Sequence, residues 1–193
     1  MSASHAEDKS YNPDAPSFAK ADHSKPYYPC NGLATDGFSN ENEATATCFC
    51  GAVQYAFPVK KPGLVDTFVC HCYDCNKLTA SVMGTAAFVV KGDHLRNIRG
   101  EDNLTSFGQS DTTTTKNKMT TSFCKTCGTV MYRVGSGFPG LFLMRIGTVD
   151  DLSLAEGVLK PRIEQFNKDR MSYLTPAAGV EQYHGYYYGA YKQ

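Results

Sequence analysis

Seven of the eight cysteines in this 193-residue chain fall into three short groups: Cys48 with Cys50, Cys70 with Cys72 and Cys75, and Cys124 with Cys127. Thiols at Cys-x-Cys and Cys-x-x-Cys spacing either pair as disulfides or converge as thiolates on a metal ion. Disulfide frameworks belong to small secreted domains, and near-neighbour cysteines rarely satisfy disulfide geometry with each other. The opening stretch MSASHAEDKSYNPDAPSF lacks the apolar core of a secretory signal. Metal binding is therefore the expected use. Seven ligands divide naturally into four and three. Four thiolates close a tetrahedral structural zinc site, whereas three leave one coordination position open for chemistry.

The division follows from spacing. Cys48 and Cys50 on one hairpin, with Cys124 and Cys127 before Gly128 on another, supply four ligands as in a zinc ribbon split by a long insertion. That leaves Cys70, Cys72 and Cys75 for an open site. The reverse combination, Cys70–Cys75 with Cys124 and Cys127, stays open but strands an odd number of thiols. Zinc held by three thiolates is electron-rich and a poor activator of water. Holding a fourth sulfur as a nucleophilic thiolate suits it better, which points to a thiol substrate.

Other polar residues read more plainly. His71 alternates with Cys70 and Cys72, so in an extended segment it points away from the metal and is expected at the surface or behind the ligands. Asp74 and Lys77 are expected to bond the local turn or to be solvated, and His94 and His184 to be structural. Arg96, Arg99, Arg145 and Lys168–Arg170 are candidates for substrate carboxylates, with solvation the commoner fate of such charges.

The elements that must position these groups are short strands. Residues 44–57 alternate about a turn at Cys48–Gly51, where Gly51 frees the backbone of a knuckle. Strands are expected over 64–70, 81–90, 104–107, 119–123, 129–134, 141–146 and, last, 162–166. Residues 93–100 read as a short strand or one helical turn, and 111–118 as a polar hairpin loop. One short helix is expected over 150–156. The fold class is mainly β: a single domain of short antiparallel strands carrying two zinc-knuckle hairpins. Residues 1–43, proline-rich and without apolar period, read as an irregular extension, partly disordered or wrapped over the domain, with Tyr27, Tyr28 and Phe38 as anchors and Cys30 as a free thiol. Residues 44–185 form the zinc domain, and 186–193 an aromatic tail without assignable structure.

Composition narrows the partners. Lys plus Arg and Asp plus Glu are 19 each, a balance that argues against nucleic acid or an anionic membrane surface. No apolar run approaches the roughly 18 residues of a membrane span. A cytoplasmic, soluble protein is expected.

The sequences Cys48-Phe-Cys-Gly-Ala-Val, Cys70-His-Cys-Tyr-Asp-Cys75 and Phe123-Cys-Lys-Thr-Cys-Gly128 resemble the glutathione-dependent formaldehyde-activating enzymes, also called the CENP-V/GFA domain. Arg145-Ile-Gly-Thr-Val-Asp-Asp151 and Glu164-Gln-Phe-Asn-Lys-Asp-Arg170 agree, and the likeness covers about residues 44–185. The resemblance implies a fold related to methionine sulfoxide reductase B, with two facing knuckles. It implies Cys48, Cys50, Cys124 and Cys127 as ligands of a structural zinc and Cys70, Cys72 and Cys75 as the catalytic zinc site. It further implies two zinc ions per chain and a carbon–sulfur lyase that joins glutathione to an electrophilic carbon such as an aldehyde or a conjugated metabolite. The long extension suits a homodimer contact or a lid. Two other readings compete: a non-catalytic zinc-stabilised binding module, and a sulfoxide reductase using Cys30.

Overall fold

In a computed structural model that describes residues 17–29 and 32–187, the chain folds into two sheets. Cys30, Tyr188, Tyr191 and the first sixteen residues lie outside the described residues. Strands β1 (Glu43–Thr47), β2 (Gln54–Pro58) and β5 (Arg96–Arg99) make a three-stranded antiparallel sheet. The larger sheet has eight strands: β3 (Leu64–Cys70), β4 (Thr85–Lys91), β6 (Leu104–Gln109), β7 (Met119–Cys124), β8 (Val130–Gly135), β9 (Leu141–Arg145), β10 (Ile163–Gln165) and β11 (Glu181–Tyr183). Its order is β11-β10-β3-β4-β9-β8-β7-β6.

Alternation along β4 and β9 builds two cores, one on each face of the large sheet. Phe88, Val90 and Met144 pack with Val53, Phe57 and Met131 between the sheets. Ala87, Val89, Leu141 and Leu143 pack on the other face with Phe68, Cys70, Cys75 and Ile163. Cys48 and Cys124 belong to the first core. The two groups of thiols are thus served by opposite faces of one sheet.

The mainly β reading holds, with corrections in detail. The large sheet is mixed, because β10 runs parallel to both β3 and β11. After β9 the chain crosses over through a short helix, α2 (Ser153–Glu156), and buries Leu159 before returning beside β3 in the same direction. The stretch 162–166 is not the last strand, since β11 follows it. Nor is α2 the one helix: α1 (Tyr73–Thr79) grows out of the Cys70–Cys75 group itself. The cysteines disguise its signals, which are Cys72 as N-cap, Asp74 in the first turn and Lys77 in the last.

At Tyr27 and again at Ser39, the segment ahead of β1 is bonded to the domain. The Tyr27 N–H donates to the buried Asp151 carboxylate at 2.9 Å, and the Tyr27 carbonyl accepts from Leu152 at 2.8 Å. Ser39 donates to the other oxygen of Asp151. Tyr28 is largely exposed and only its hydroxyl is engaged, with Ser39. At the opposite end, Tyr187 packs on the second core, and the Arg162 guanidinium lies 5.1 Å from its ring centroid.

Candidate metal centres and the cleft between them

The four-thiol group is made by two matching turns. In each, the first cysteine's N–H bonds a residue beyond the turn and its carbonyl accepts from a glycine: Gly51 to Cys48 at 2.9 Å, and Gly128 to Cys124 at 2.9 Å. Both glycines have positive φ, +81° and +74°, a conformation that costs other residues steric strain. The turns bring the sulfurs of Cys48, Cys50, Cys124 and Cys127 within 4.8 Å of one another. Cys48 and Cys50 are 3.6 Å apart and Cys50 and Cys124 3.7 Å. A tetrahedron with metal–sulfur bonds of about 2.3 Å has edges of about 3.8 Å, so the donor set fits a tetrahedral ion. The Val53 N–H and the Asn103 amide each donate to a sulfur at 3.2 Å, to Cys48 and Cys124 respectively. Donors aimed at sulfur favour the thiolate. Burial pushes the Cys48 thiol up to about 12. Burial also opposes ionisation of Cys127, but hydrogen bonds from Thr129 and the Cys50 backbone outweigh it and bring it down to about 6.

The three-thiol group has a different construction. Cys70 ends β3, Cys72 caps α1 and Cys75 lies in its first turn, so strand end and helix start fold three sulfurs together, again within 4.8 Å. The Cys75 N–H donates to Cys72 Sγ at 3.4 Å. No further Cys, His, Asp or Glu among the described residues joins this cluster. All seven thiols are free, and the spacing decides between the combinations left open by sequence: Cys124 and Cys127 meet Cys48 and Cys50, not the Cys70 group. The two clusters can each hold a metal ion.

Two arginines face the second cluster. Arg133 on β8 lies opposite Leu143, and Arg145 on β9 lies opposite Ala87. Both are buried, at 6% exposure. Arg133 Nη1 is 3.8 Å from Cys75 Sγ. Hydrogen bonds from the Cys70 and Cys72 thiols, then the charges of Arg145 and Arg133, hold Cys75 well below the usual thiol range. The neighbouring Cys72 and Cys75 thiols, and then burial, push Cys70 up.

His71 is not at the surface. It is 3% exposed, and its Nε2 lies 2.6 Å from the buried Glu164 carboxylate on β10. Glu164 also accepts from Arg170, Gln182 and the Ala177 N–H. Burial opposes its charge, but these donors and His71 hold the carboxyl down at about 2. With the His71 N–H donating to the Gln165 carbonyl at 3.1 Å, this network straps the cysteine segment to β10 and to the segment beyond it. Asp74 reaches out of its own turn to accept from Thr112 at 2.7 Å. Arg96 and Arg99 pair with Glu43 and Asp36 on the surface, His94 is partly exposed beside Asp93, and His184 meets Asn167.

An open cleft of about 500 Å³ lies at the C-terminal end of α1. Its walls are the end of α1 with Ala80–Ser81, the knuckle residues Gly128–Val130 and the stretch Arg145–Thr148. Arg145 is the one charged residue lining it. Sequence reasoning missed Arg133; it named Arg145 as a candidate for a carboxylate but held solvation the commoner fate, whereas Arg145 is buried. A bulge opposite Ser122 and Phe123 breaks the alternation of β8, so the face Arg133 takes is hidden in the sequence. Arg145, by contrast, continues the alternation of Leu141 and Leu143, and that signal was readable.

A family model for the glutathione-dependent formaldehyde-activating enzymes matches residues 43–169, spanning all three cysteine groups. The chain belongs to this family. No curated protein matches it. A crystal structure of a Rhodobacter sphaeroides protein aligns over 72% of this chain and 98% of its own, at 21% identity and a TM-score of 0.43. No helix among the described residues is long and apolar enough to cross a membrane.

Proposed function

We propose that this family member is a zinc enzyme of carbon–sulfur lyase type that adds the thiol of glutathione to an electrophilic carbon, formaldehyde being the simplest. One observation carries the reading: three sulfurs converge at Cys70, Cys72 and Cys75, and among the described residues no fourth Cys, His, Asp or Glu joins them. Zinc at such a site, when bound, supplies the positive charge that keeps a substrate thiol ionised in the open position. Cys48, Cys50, Cys124 and Cys127 would hold a second, structural ion.

The chain's own residues do the rest. Cys75, kept ionisable by Arg133 and Arg145, gives the cluster its negative charge. The His71–Glu164 strap fixes the backbone from which Cys70 and Cys72 project. In the addition, the substrate sulfur bonds to the carbonyl carbon, the C=O π pair moves to oxygen, and the proton lost from sulfur ends on that oxygen. The product is an S-hydroxyalkyl thioether, and the reverse sequence cleaves it. The unit proposed to be responsible is residues 44–185, a reading supported by the Phe166 N–H donating to the Gly185 carbonyl beside the cysteine strand. A cytoplasmic, thiol-reducing compartment suits seven free cysteines.

The test is adduct formation from ¹³C-formaldehyde and glutathione followed by NMR, with metal content measured alongside. Two zinc ions per chain and acceleration over the spontaneous reaction, lost in Cys72→Ser, are expected. One zinc per chain with no acceleration for any thiol and aldehyde pair overturns the reading.

A further inference from the structure

Arg145 stands out among the buried polar groups. Its Nε and Nη2 are both buried and have no hydrogen-bond acceptor, although leaving a charged donor unpaired costs more than a neutral one. These two nitrogens share one edge of the guanidinium and point their N–H bonds in parallel, the arrangement that a carboxylate caps with two hydrogen bonds. The same protein shows that edge satisfied elsewhere: Arg162 donates from Nε and Nη2 to the two oxygens of Asp66, at 2.9 and 2.8 Å. Arg145 has the donors without the acid.

Its surroundings say what is missing. Arg145 lines the cleft together with Thr79, whose hydroxyl donates to the Cys75 carbonyl, and Thr85, the strand partner of Cys70, and among the described residues no acidic one lines it. The remaining polar groups there are hydroxyls, from Thr79, Ser81, Thr85, Thr129 and Thr148, which bond uncharged amides as readily as they bond anions. A ligand that carries both a thiol and a carboxylate would satisfy the cluster and the arginine together.

We infer that Arg145 is the anchor for a carboxylate of the thiol substrate, bound side-on through Nε and Nη2, and that the cleft holds the intervening peptide while the sulfur sits over Cys70, Cys72 and Cys75. The guanidinium turns its donor edge into the cleft by rotation about its flexible stem. The inference rests on the thiol-addition reading and adds to it a determinant of specificity: thiols that carry a carboxylate at the right distance are taken, and simple alkyl thiols are not.

The test is calorimetric binding to the full-length, metal-loaded protein, using S-methylglutathione and its two mono-ethyl esters. The methylated sulfur cannot ionise, so binding reports the peptide end alone. One of the two esters should bind the unaltered protein about ten- to a hundredfold more weakly than the diacid, the range of a charge-assisted pair. Arg145→Met should weaken the diacid by the same factor and abolish the difference between diacid and ester. Arg145→Lys, which keeps the charge but loses the fork, should recover only part. Metal content and circular dichroism establish that the variants are folded, and the ester comparison stands without any variant. Equal binding of diacid and both esters, or no binding of S-methylglutathione, overturns the inference and leaves Arg145 serving the cysteines alone. The two readings fail separately. Arg145-dependent binding without adduct formation would remove the proposed reaction and keep the anchor. Adduct formation without ester discrimination would do the reverse.

Discussion

The two cysteine clusters use the same ligand atom and nearly the same spacing, yet they are built for different ends. The four-thiol cluster is assembled from two hairpin turns, each released by a positive-φ glycine, with a backbone amide and the Asn103 amide donating to its sulfurs. The three-thiol cluster is assembled from a strand end and the first turn of a helix, faces two buried guanidiniums and borders a cleft. Ligand count alone separates closed from open. On the proposed function, what surrounds the sulfurs would separate scaffold from chemistry: neutral amides suit a site of constant charge, whereas cations beside an incomplete site suit the arrival of another anion.

Breaking each cluster in turn should give unequal results. Cys124→Ser removes a ligand that joins two distant hairpins across the first core. Structural zinc contributes on the order of 10–16 kcal/mol in small zinc domains, more than the roughly 5–15 kcal/mol by which domains are usually stable. The expected product is unfolded or insoluble, read by circular dichroism and by metal content well below that of the unaltered chain. Cys72→Ser should stay folded, retain the ion of the other cluster and lose adduct formation down to the spontaneous rate. A folded, metal-free Cys124→Ser protein would end the distinction.

The strap behind the open cluster should show in acid. Glu164 titrates at about 2 in the folded chain against 4.5 for an ordinary glutamate. A depressed carboxyl stabilises the fold above the unfolded value, and that stability fades as pH falls from about 4.5 towards about 2. The drop from 4.5 to about 2 corresponds to at most ~3.5 kcal/mol, at about 1.4 kcal/mol per pH unit. Urea unfolding of the unaltered chain and Glu164→Gln should therefore differ most near neutrality and converge as the pH drops through that window. A gap that stays constant down to pH 3 would remove Glu164 as the source.

The smallest effects concern backbone. Gly128 sits at φ +74° with open space around its missing Cβ, so Gly128→Ala should cost only the left-handed penalty, ~1 kcal/mol. Gly51→Ala should cost more, because the added carbon also meets Ala34 at 3.0 Å. At the open cluster the relation is inverted: α1 ends on Ala80, at φ 51°, where glycine is the favoured residue. Ala80→Gly is expected to raise stability by up to ~1 kcal/mol, measured as a shift in the urea midpoint.

Much of this was legible in the sequence because its signals are local. The knuckles announce themselves by Cys-x-Cys-Gly and Cys-x-x-Cys-Gly, and the strands by alternation between turn residues. The helix α1 was hidden because its capping residue is a cysteine rather than serine or aspartate. The parallel strands β10 and β11 were misread because nothing in a three-residue strand encodes its direction, which is set by where the crossover through α2 lands. His71 was expected at the surface or behind the ligands, from alternation with its neighbours. Alternation correctly turned it away from the cluster, but the other side is occupied by β10, with Glu164 waiting there. Arg133 depended on a bulge, and bulges leave no reliable mark in a single sequence.

The separation of the ligands along the chain has a consequence for how the metals are acquired. Cys70, Cys72 and Cys75 lie within six residues, so they can gather an ion while the chain is still unfolded. Cys50 must wait for Cys124, 74 residues later, and closing that loop costs entropy that only folding recovers. An ion that binds the unfolded chain nearly as well as the folded one stabilises neither state over the other. On the proposed function, an ion at the three-thiol cluster should therefore load early and contribute little to folding, while one at the four-thiol cluster should load late and drive it. With metal supplied sparingly during refolding, the three-thiol cluster would fill first in chains that have not folded, and the yield of native protein would be limited by the ion that arrives second.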